Sequence, residues 1–397
     1  MTAAPRALVG GRLVLPDGVL DHHALVLDGE RIAAIVPTEA IGAGPQRIDV
    51  AGALVLPGLV DIHTHGAGGR LFNEADVDAW STIVELQAAH GVTSLLATTM
   101  TAPIEELVGA LEFARTWTAQ EHKGARVLGV HVEGPYFARS QAGAQNPEHV
   151  RNPDDGTAAE LLAYSDVVRM MSFAPELPGA IALTRDLVAR GIVAAAGHSE
   201  ARDADVLAAM DAGLRHVIHV WSAQSTTVRE GPWRRPGLLE ASLAFDGLSV
   251  EMIADGCHLP VTLMRLAYKA IGPERLCVVS DATHGAGLPE GSELRLGGLD
   301  IVVDGGVAML RDRTAFAGST SLLDRMLRVL TRDVGLPLHE AVRMASLNPA
   351  RVIGADGHTG SLEVGKDADL ALFDHDLVVR RTMIGGRWYD EVPERTP

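Results

Sequence analysis

Six residues of the 397-residue chain have the types and placement to hold a divalent cation and to work beside it. They are His63 and His65 in VLPGLVDIHTH, Glu133 in GVHVE, His198 in VAAAGH, His219 in HVIH and Asp281 in CVVSD. Imidazoles and carboxylates are borderline-to-hard donors, the set that suits zinc or another divalent first-row ion. In an extended chain His63-Thr64-His65 is a period-two pair, so both rings leave the backbone on one side. A cation held this way generates hydroxide near neutral pH and polarises an acyl oxygen, while a carboxylate such as Asp281 carries the proton from water to the leaving group. One histidine at a strand end is ordinarily structural. Six polar residues ending five separate apolar runs argue jointly, because buried titratable side chains are costly without a partner.

The elements that carry them follow from the alternation of apolar runs with amphipathic stretches. The runs are Leu54–His63, Val92–Thr99, Val127–Glu133, Val167–Ala174, Ile192–His198, His216–Val220, Leu248–Ala254 and Leu276–Asp281. Continuous runs are expected of parallel strands buried on both faces, and eight strand–helix repeats predict an α/β fold, a (β/α)8 TIM barrel, with an open doubly wound sheet as the competing architecture. On the barrel reading every candidate sits at the carboxyl end of its strand, the face that carries barrel active sites. His258 in IADGCHLP and His284 in SDATHGAG follow the seventh and eighth strands and face the same end. His131 and His216 lie deeper in their strands and read as structural or supporting.

Both ends of the chain differ from this middle. Residues 6–50 and 358–390 break into short alternating segments with Gly and Asp-Gly turns, and neither has enough strands to bury a face alone. They predict one small β-sandwich from both termini, residues 1–56 with 355–397, around a barrel of residues 57–354. Residues 291–313 read as a hairpin excursion, and Ser321–Thr331 and Leu338–Met344 as the closing helices.

Composition excludes other classes. Hydrophobic residues at 47% and charged residues at 21% describe a globular chain, not a disordered or collagen-like one. A net charge of −17 repels nucleic-acid backbones and anionic membrane surfaces, so neither is expected as a partner. Cys257 and Cys277 fit neither a disulfide framework nor a zinc spacing and suit a reducing compartment. With no signal-peptide pattern or apolar span, a cytoplasmic protein is expected.

In order along the chain, VLPGLVDIHTHG, HVEGPY, AGAQNPEHV, AAGHSEA, HVIHVWSA, IADGCHLP, LCVVSDAT, AFAGSTSLLD and GSLEVGKDADLALFD resemble the amidohydrolase superfamily and, within it, the N-acetylglucosamine-6-phosphate deacetylases. The resemblance covers nearly the whole chain. It implies a divalent metal, zinc by preference, on Glu133, His198 and His219, with Asp281 as the catalytic carboxylate and His258 near the substrate. His63 and His65 imply a second ion with Glu133 bridging, since no lysine ends a barrel strand. It further implies an amino-sugar phosphate substrate touched by Gln145, Ser222, Ala223, His258, His284, Arg234 and Arg235, and a homodimer.

Three segments depart from the family pattern. Ser222-Ala223-Gln224 stands where the family reads Asn-Ala-Met, Arg139-Ser140-Gln141 is poorer in lysine than its family counterpart, and Arg234-Arg235-Pro236-Gly237 replaces Arg-Glu-Pro-Gly after a short insertion through Trp233. These loops bear on phosphate and sugar rather than on hydrolysis. A metal amidase for another N-acyl sugar or small amide is therefore the alternative reading. A cyclic-amide hydrolase, a deaminase and a non-catalytic barrel are the more distant ones.

Overall fold

The computed structural model describes residues 4–42 and 44–389. Its centre is an eight-stranded parallel sheet of β1 (Leu59–Thr64), β2 (Val92–Thr99), β3 (Arg126–Glu133), β4 (Val168–Phe173), β5 (Val193–Ala196), β6 (His216–Val217), β7 (Ser249–Met252) and β8 (Leu276–Val278), each paired with the next. Past the end of β8, a bridge between Thr64 and Ala282 brings the last strand against the first. The His65 N–H to Ala282 carbonyl bond at 2.7 Å and the Asp281 N–H to His63 carbonyl bond at 2.8 Å complete that seam. The competing open sheet is thereby excluded, because an open doubly wound sheet leaves its edge strands unpaired.

The strands close because their residues are apolar on both faces. β1 and β2 are buried at every position, and Leu59, Val60, Ile62, Leu95 and Leu96 belong to one continuous core with the helices outside. Each such side chain removed from water contributes about 1.5–3 kcal/mol. Several connecting helices stop at a residue with positive φ; Gly213, at +115°, ends Asp203–Ala212 where a left-handed residue is required.

Two smaller sheets stand beside the barrel. One is built from Arg6–Val9, His23–Asp28, Arg31–Pro37 and Gln46–Asp49. The other interleaves early and late residues: Leu54–Pro57 lies between Arg12–Leu15 and Leu370–Phe373, with Gly18–Leu20, Val379–Ile384 and Arg387–Tyr389 outside. Leu8, Leu25, Val55, Leu370 and Met383 pack between them in a second core. The expected strand Leu54–His63 is thus two strands. Leu54–Pro57 serves this small sheet and Leu59–Thr64 the barrel, with the break at Gly58, where a Cβ would overlap the Thr93 side chain.

The excursion after β8 is larger than a hairpin. Glu293–Leu296, Leu299–Asp304, Val307–Leu310 and Phe316–Ser319 form a four-stranded antiparallel sheet over the barrel mouth. Among the described residues no helix is long and apolar enough to cross a membrane.

Candidate active site

At the carboxyl end of the barrel the strand-end residues converge on Glu133, which is 1% exposed. Its Oε1 lies 3.3 Å from His198 Nε2, 3.1 Å from His219 Nε2 and 3.4 Å from His63 Nε2, and its Oε2 lies 3.3 Å from His65 Nε2. Asp281 Oδ1 is 3.3 Å from His65 Nε2 and 3.6 Å from His63 Nε2. Two potential ligand groups, His63–His65–Glu133 and Glu133–His198–His219, share the one carboxylate, and within each group the donor atoms lie within 4.8 Å of one another.

Two of the four rings are oriented by occupation of their other nitrogen. His198 Nδ1 is 2.8 Å from the Gln141 carbonyl, which only accepts, so Nδ1 carries the hydrogen and Nε2 is left for Glu133. His63 Nδ1 likewise donates to Glu251 Oε2 at 2.7 Å. Gln145 orients the central carboxylate, donating from Nε2 to Glu133 Oε2 while its Oε1 accepts the Thr101 N–H at 2.8 Å. Such supporting contacts fix the tautomer and orientation of a metal-binding side chain.

Strain marks the same places. His198, His219 and Asp281 have φ of +46°, +24° and +45°, a region in which a side-chain-bearing residue costs about 1–3 kcal/mol. Flanking bonds hold them there: Ala138 N–H to the His198 carbonyl at 2.9 Å, His219 N–H to Glu251 Oε2 at 3.3 Å, and Ser319 N–H to the Asp281 carbonyl at 2.8 Å. Left-handed backbone just past a strand end swings each side chain back over the barrel mouth.

The electrostatics are those of a site built for a cation. Burial alone would depress the His63 imidazole, yet the carboxylates of Glu251, Glu133 and Asp281 outweigh it and hold it well above its ordinary value. Burial likewise opposes His65, and hydrogen bonds to Asp281 and Glu133 raise it to about 9. Burial would raise Glu133, but the His63 charge and the bonds from His198 and His219 keep it well below the usual carboxylate range. Asp281 is lowered too, with burial opposed by His63 and His65. Buried carboxylates demand positive partners, and His63 Nε2 is buried without a hydrogen bond of its own. The donor set and this unused nitrogen fit a divalent first-row cation.

The cluster floors a cleft of about 350 Å³ lined by Met100, Gln145, Trp221, Ser222, Ala223, His258, Thr283, Phe316 and the strand-end residues. His258 is fixed by Asp255, whose Oδ2 takes Nδ1 at 2.7 Å and whose Oδ1 accepts the Cys257 and His258 N–H groups at 2.8 Å each. That leaves Nε2 free. The Phe316 ring lies 4.8 Å from the His258 ring at the mouth.

Of the expected substrate contacts, Gln145, Ser222, Ala223 and His258 line the cleft, and His284, Arg234 and Arg235 do not. His284 is turned away, its Nε2 3.0 Å from the Arg295 carbonyl. Arg234 and Arg235 lie on an exposed hairpin, Val228–Glu230 with Trp233–Arg235, bonded to the Pro232 carbonyl at 3.0 Å and to Glu230 at 3.0 Å. Each guanidinium is captured by an acceptor of its own hairpin, so nothing draws these groups inward. Gln224, one of the departures from the family pattern, is a staple: its Nε2 donates to the Ile218 carbonyl at 3.0 Å and its Oε1 accepts the Trp221 N–H at 3.3 Å. Glu251, Asp255, Trp221 and Phe316 were not singled out by sequence. A lone carboxylate inside the apolar run LSVEMIA was the available signal for Glu251.

Residues 54–389 match the model of the amidohydrolase family, and residues 7–55 that of the NagA composite domain. The chain belongs to the amidohydrolase family. It is a hydrolytic enzyme whose His/Glu centre fits a divalent metal. Among relatives of this amidohydrolase, an N-acetylgalactosamine-6-phosphate deacetylase of Escherichia coli O157:H7 is 34% identical over 95% of this chain and 97% of that protein. An N-acetylglucosamine-6-phosphate deacetylase of Haemophilus influenzae is 33% identical over 93% of this chain and 95% of that protein. Among solved structures, N-acetylglucosamine-6-phosphate deacetylase from Pasteurella multocida superposes with a TM-score of 0.91 at 31% identity, covering 97% of this chain and 99% of that one. A Mycobacterium smegmatis variant of the same named enzyme, in complex with N-acetyl-D-glucosamine-6-phosphate, gives 0.89 at 34% identity over 98% of this chain and 100% of that one.

Proposed function

We propose that this amidohydrolase removes the acetyl group from N-acetylglucosamine 6-phosphate, giving glucosamine 6-phosphate and acetate. The observation that carries the reading is the arrangement of two histidine pairs about one buried carboxylate with Asp281 beside them, in a chain similar to hexosamine-phosphate deacetylases along almost its whole length. Glu133, His198 and His219 would hold one ion, and His63, His65 and the shared Glu133 a second, with zinc the preferred ion for this donor set. A bound ion supplies Lewis acidity, lowering the pKa of water and polarising the acyl oxygen.

The chain's own residues do the rest. Asp281, on the floor of the cleft, accepts a proton as the water oxygen bonds to the acetyl carbon, and returns it to the amine nitrogen as the carbon–nitrogen bond breaks. His258, held through Nδ1, presents Nε2 to the acyl oxygen or to a sugar hydroxyl. Phe316 and Trp221 give the cleft apolar walls against which a sugar ring can lie. A cytoplasmic homodimer belongs to the same reading, on the family resemblance and the two free thiols, as does the division into a barrel of residues 57–354 and a sandwich of 1–56 with 355–397.

One observation favours a second substrate class. Among the described residues no lysine or arginine lines the cleft, so a metal amidase acting on an N-acyl sugar or small amide without phosphate is the alternative. Acetate release by the zinc-loaded protein, measured on N-acetylglucosamine, N-acetylgalactosamine and their 6-phosphates, decides between them. The proposal requires kcat/KM at least tenfold higher for a phosphorylated sugar than for its parent. Equal values for the two favour the alternative, and the ratio between the two epimers assigns the sugar.

A further inference from the structure

β7 reads Ser249-Val250-Glu251-Met252, and Glu251 is 0% exposed in an otherwise apolar run. It takes no proton and touches no substrate in the reaction above. A carboxylate in that position is costly unless paired, and both of its oxygens are paired with imidazoles from other strands. Oε2 accepts from His63 Nδ1 of β1 at 2.7 Å, and Oε1 lies 3.0 Å from His216 Nε2 of β6. The far side of His216 is held in turn, Nδ1 at 2.7 Å from Ser249 Oγ. A chain of buried polar groups therefore crosses the barrel interior and ends on one face of the His63 ring.

The other face of that ring is the ligand side. With Nδ1 engaged, His63 presents Nε2 toward Glu133 Oε1 at 3.4 Å and Asp281 Oδ1 at 3.6 Å. Turning the ring by half a rotation would face a C–H to Glu251 and withdraw Nε2 from Glu133. His65 has no comparable anchor, since its Nδ1 is buried without a hydrogen-bond partner. Of His63 on β1 and His65 just past its end, only His63 is tethered through its outer nitrogen.

We propose that Glu251 is a positioning residue for the second ion: it locks His63 as a ligand and so sets whether the His63–His65–Glu133 half of the centre fills. This rests on the two-ion reading above. The test compares metal-free wild type, E251A and E251Q in titrations with Zn²⁺ and with Co²⁺. Ions per chain, affinity by calorimetry and the visible spectrum of the second Co²⁺ equivalent are read beside thermal unfolding of the metal-free proteins. Wild type should bind two ions. E251A should bind the second about 10–100-fold more weakly, the range for loss of a partner that orients a ligand, with the Glu133–His198–His219 ion weakened less, since Glu251 reaches that half only through the His219 backbone N–H at 3.3 Å. E251Q, which keeps an acceptor for His63 Nδ1–H, should fall between them. Two ions in E251A at wild-type affinity, or both ions weakened equally, would overturn the proposal while leaving the two-ion reading intact. A single ion in wild type would overturn both. Should E251A fail to fold, E251Q carries the test: a second-ion affinity equal to wild type overturns the proposal, and a selective loss there supports it.

Discussion

Glu133 and Arg234 both follow strands to the same end of the barrel, and they differ in what holds them. Glu133 ends an eight-residue strand, is 1% exposed, and is met by four imidazoles and by Gln145. Arg234 rides an exposed three-residue hairpin strand and bonds to a carbonyl two residues away. The first is placed by the packing of the whole barrel and the second by its own neighbours. The candidate centre in this fold is therefore anchored by long-range structure, whereas the outer hairpin is held by its own neighbours and can change without disturbing it.

The largest expected effect lies at the shared carboxylate. Glu133→Ala should lose bound metal in both halves of the centre and fall to background turnover, with metal content read by elemental analysis after gel filtration. Retention of two ions would dissolve the distinction between inner ring and outer hairpin. Next in size, Asp281→Asn should keep its metal and lose kcat by roughly 10²–10⁴-fold, the usual worth of one acid–base group; disappearance of the metal would instead make Asp281 a ligand.

On the outer side the prediction is a small number. Arg234→Glu should leave metal content unaltered and hydrolysis of an unphosphorylated N-acetyl hexosamine within about twofold, since exposed substitutions away from special features shift stability by about 0.5 kcal/mol or less. A large loss on that substrate would place the hairpin in the reaction itself.

A fourth prediction, read in stability rather than in turnover, concerns a buried carboxylate that serves neither. Asp324 is paired with His90 at 3.0 Å and Arg328 at 3.0 Å; burial pushes its pKa up, and those partners outweigh it and hold it below the usual range. Asp324→Asn should cost about 1–3 kcal/mol, below the full penalty for a broken buried pair because both partners reach solvent. A depressed carboxylate stabilises fully above its unfolded pKa and less as pH falls through the folded one. With an unfolded carboxylate pKa of about 3.9, the gap between wild type and Asp324→Asn in denaturant unfolding should hold down to about pH 4 and narrow below it. A gap that stays constant or widens below about pH 4 contradicts the pairing.

The strands and the polar residues at their ends were legible because parallel strands buried on both faces leave continuous apolar runs, and a polar residue at the end of such a run stands out. β2 was read to the residue, as Val92–Thr99. Where the first run was misjudged, the cause was Gly58, which interrupts no apolar pattern and yet hands the chain from one sheet to another. The outer contacts were less legible. Whether Arg234 or His284 reaches a cleft depends on which local acceptor captures it, and a carbonyl such as that of Arg295 leaves no trace in side-chain sequence. Glu251 lay in between: its burial could be inferred from LSVEMIA, its two imidazole partners only from the closed barrel.

The passage of one segment through two sheets also sets an order of assembly. His63 and His65 are carried on the first barrel strand to leave the ribosome, yet the stretch just ahead of them, Leu54–Pro57, pairs with Leu370–Phe373 near the end of the chain. Nascent β1 can pair with β2 early. Its leading end can be held on one side early, by Arg12 and Leu13 against Leu54 and Val55, but gains Leu370–Phe373 on the other side only when synthesis is nearly finished, and its trailing end is not sealed until Ala282 arrives to meet Thr64. The candidate ligand pair that is translated first thus gains its last strand contacts late: a ribosome stalled before residue 370 would hold a chain with most of its barrel strands made and one side of Leu54–Pro57 still unpaired.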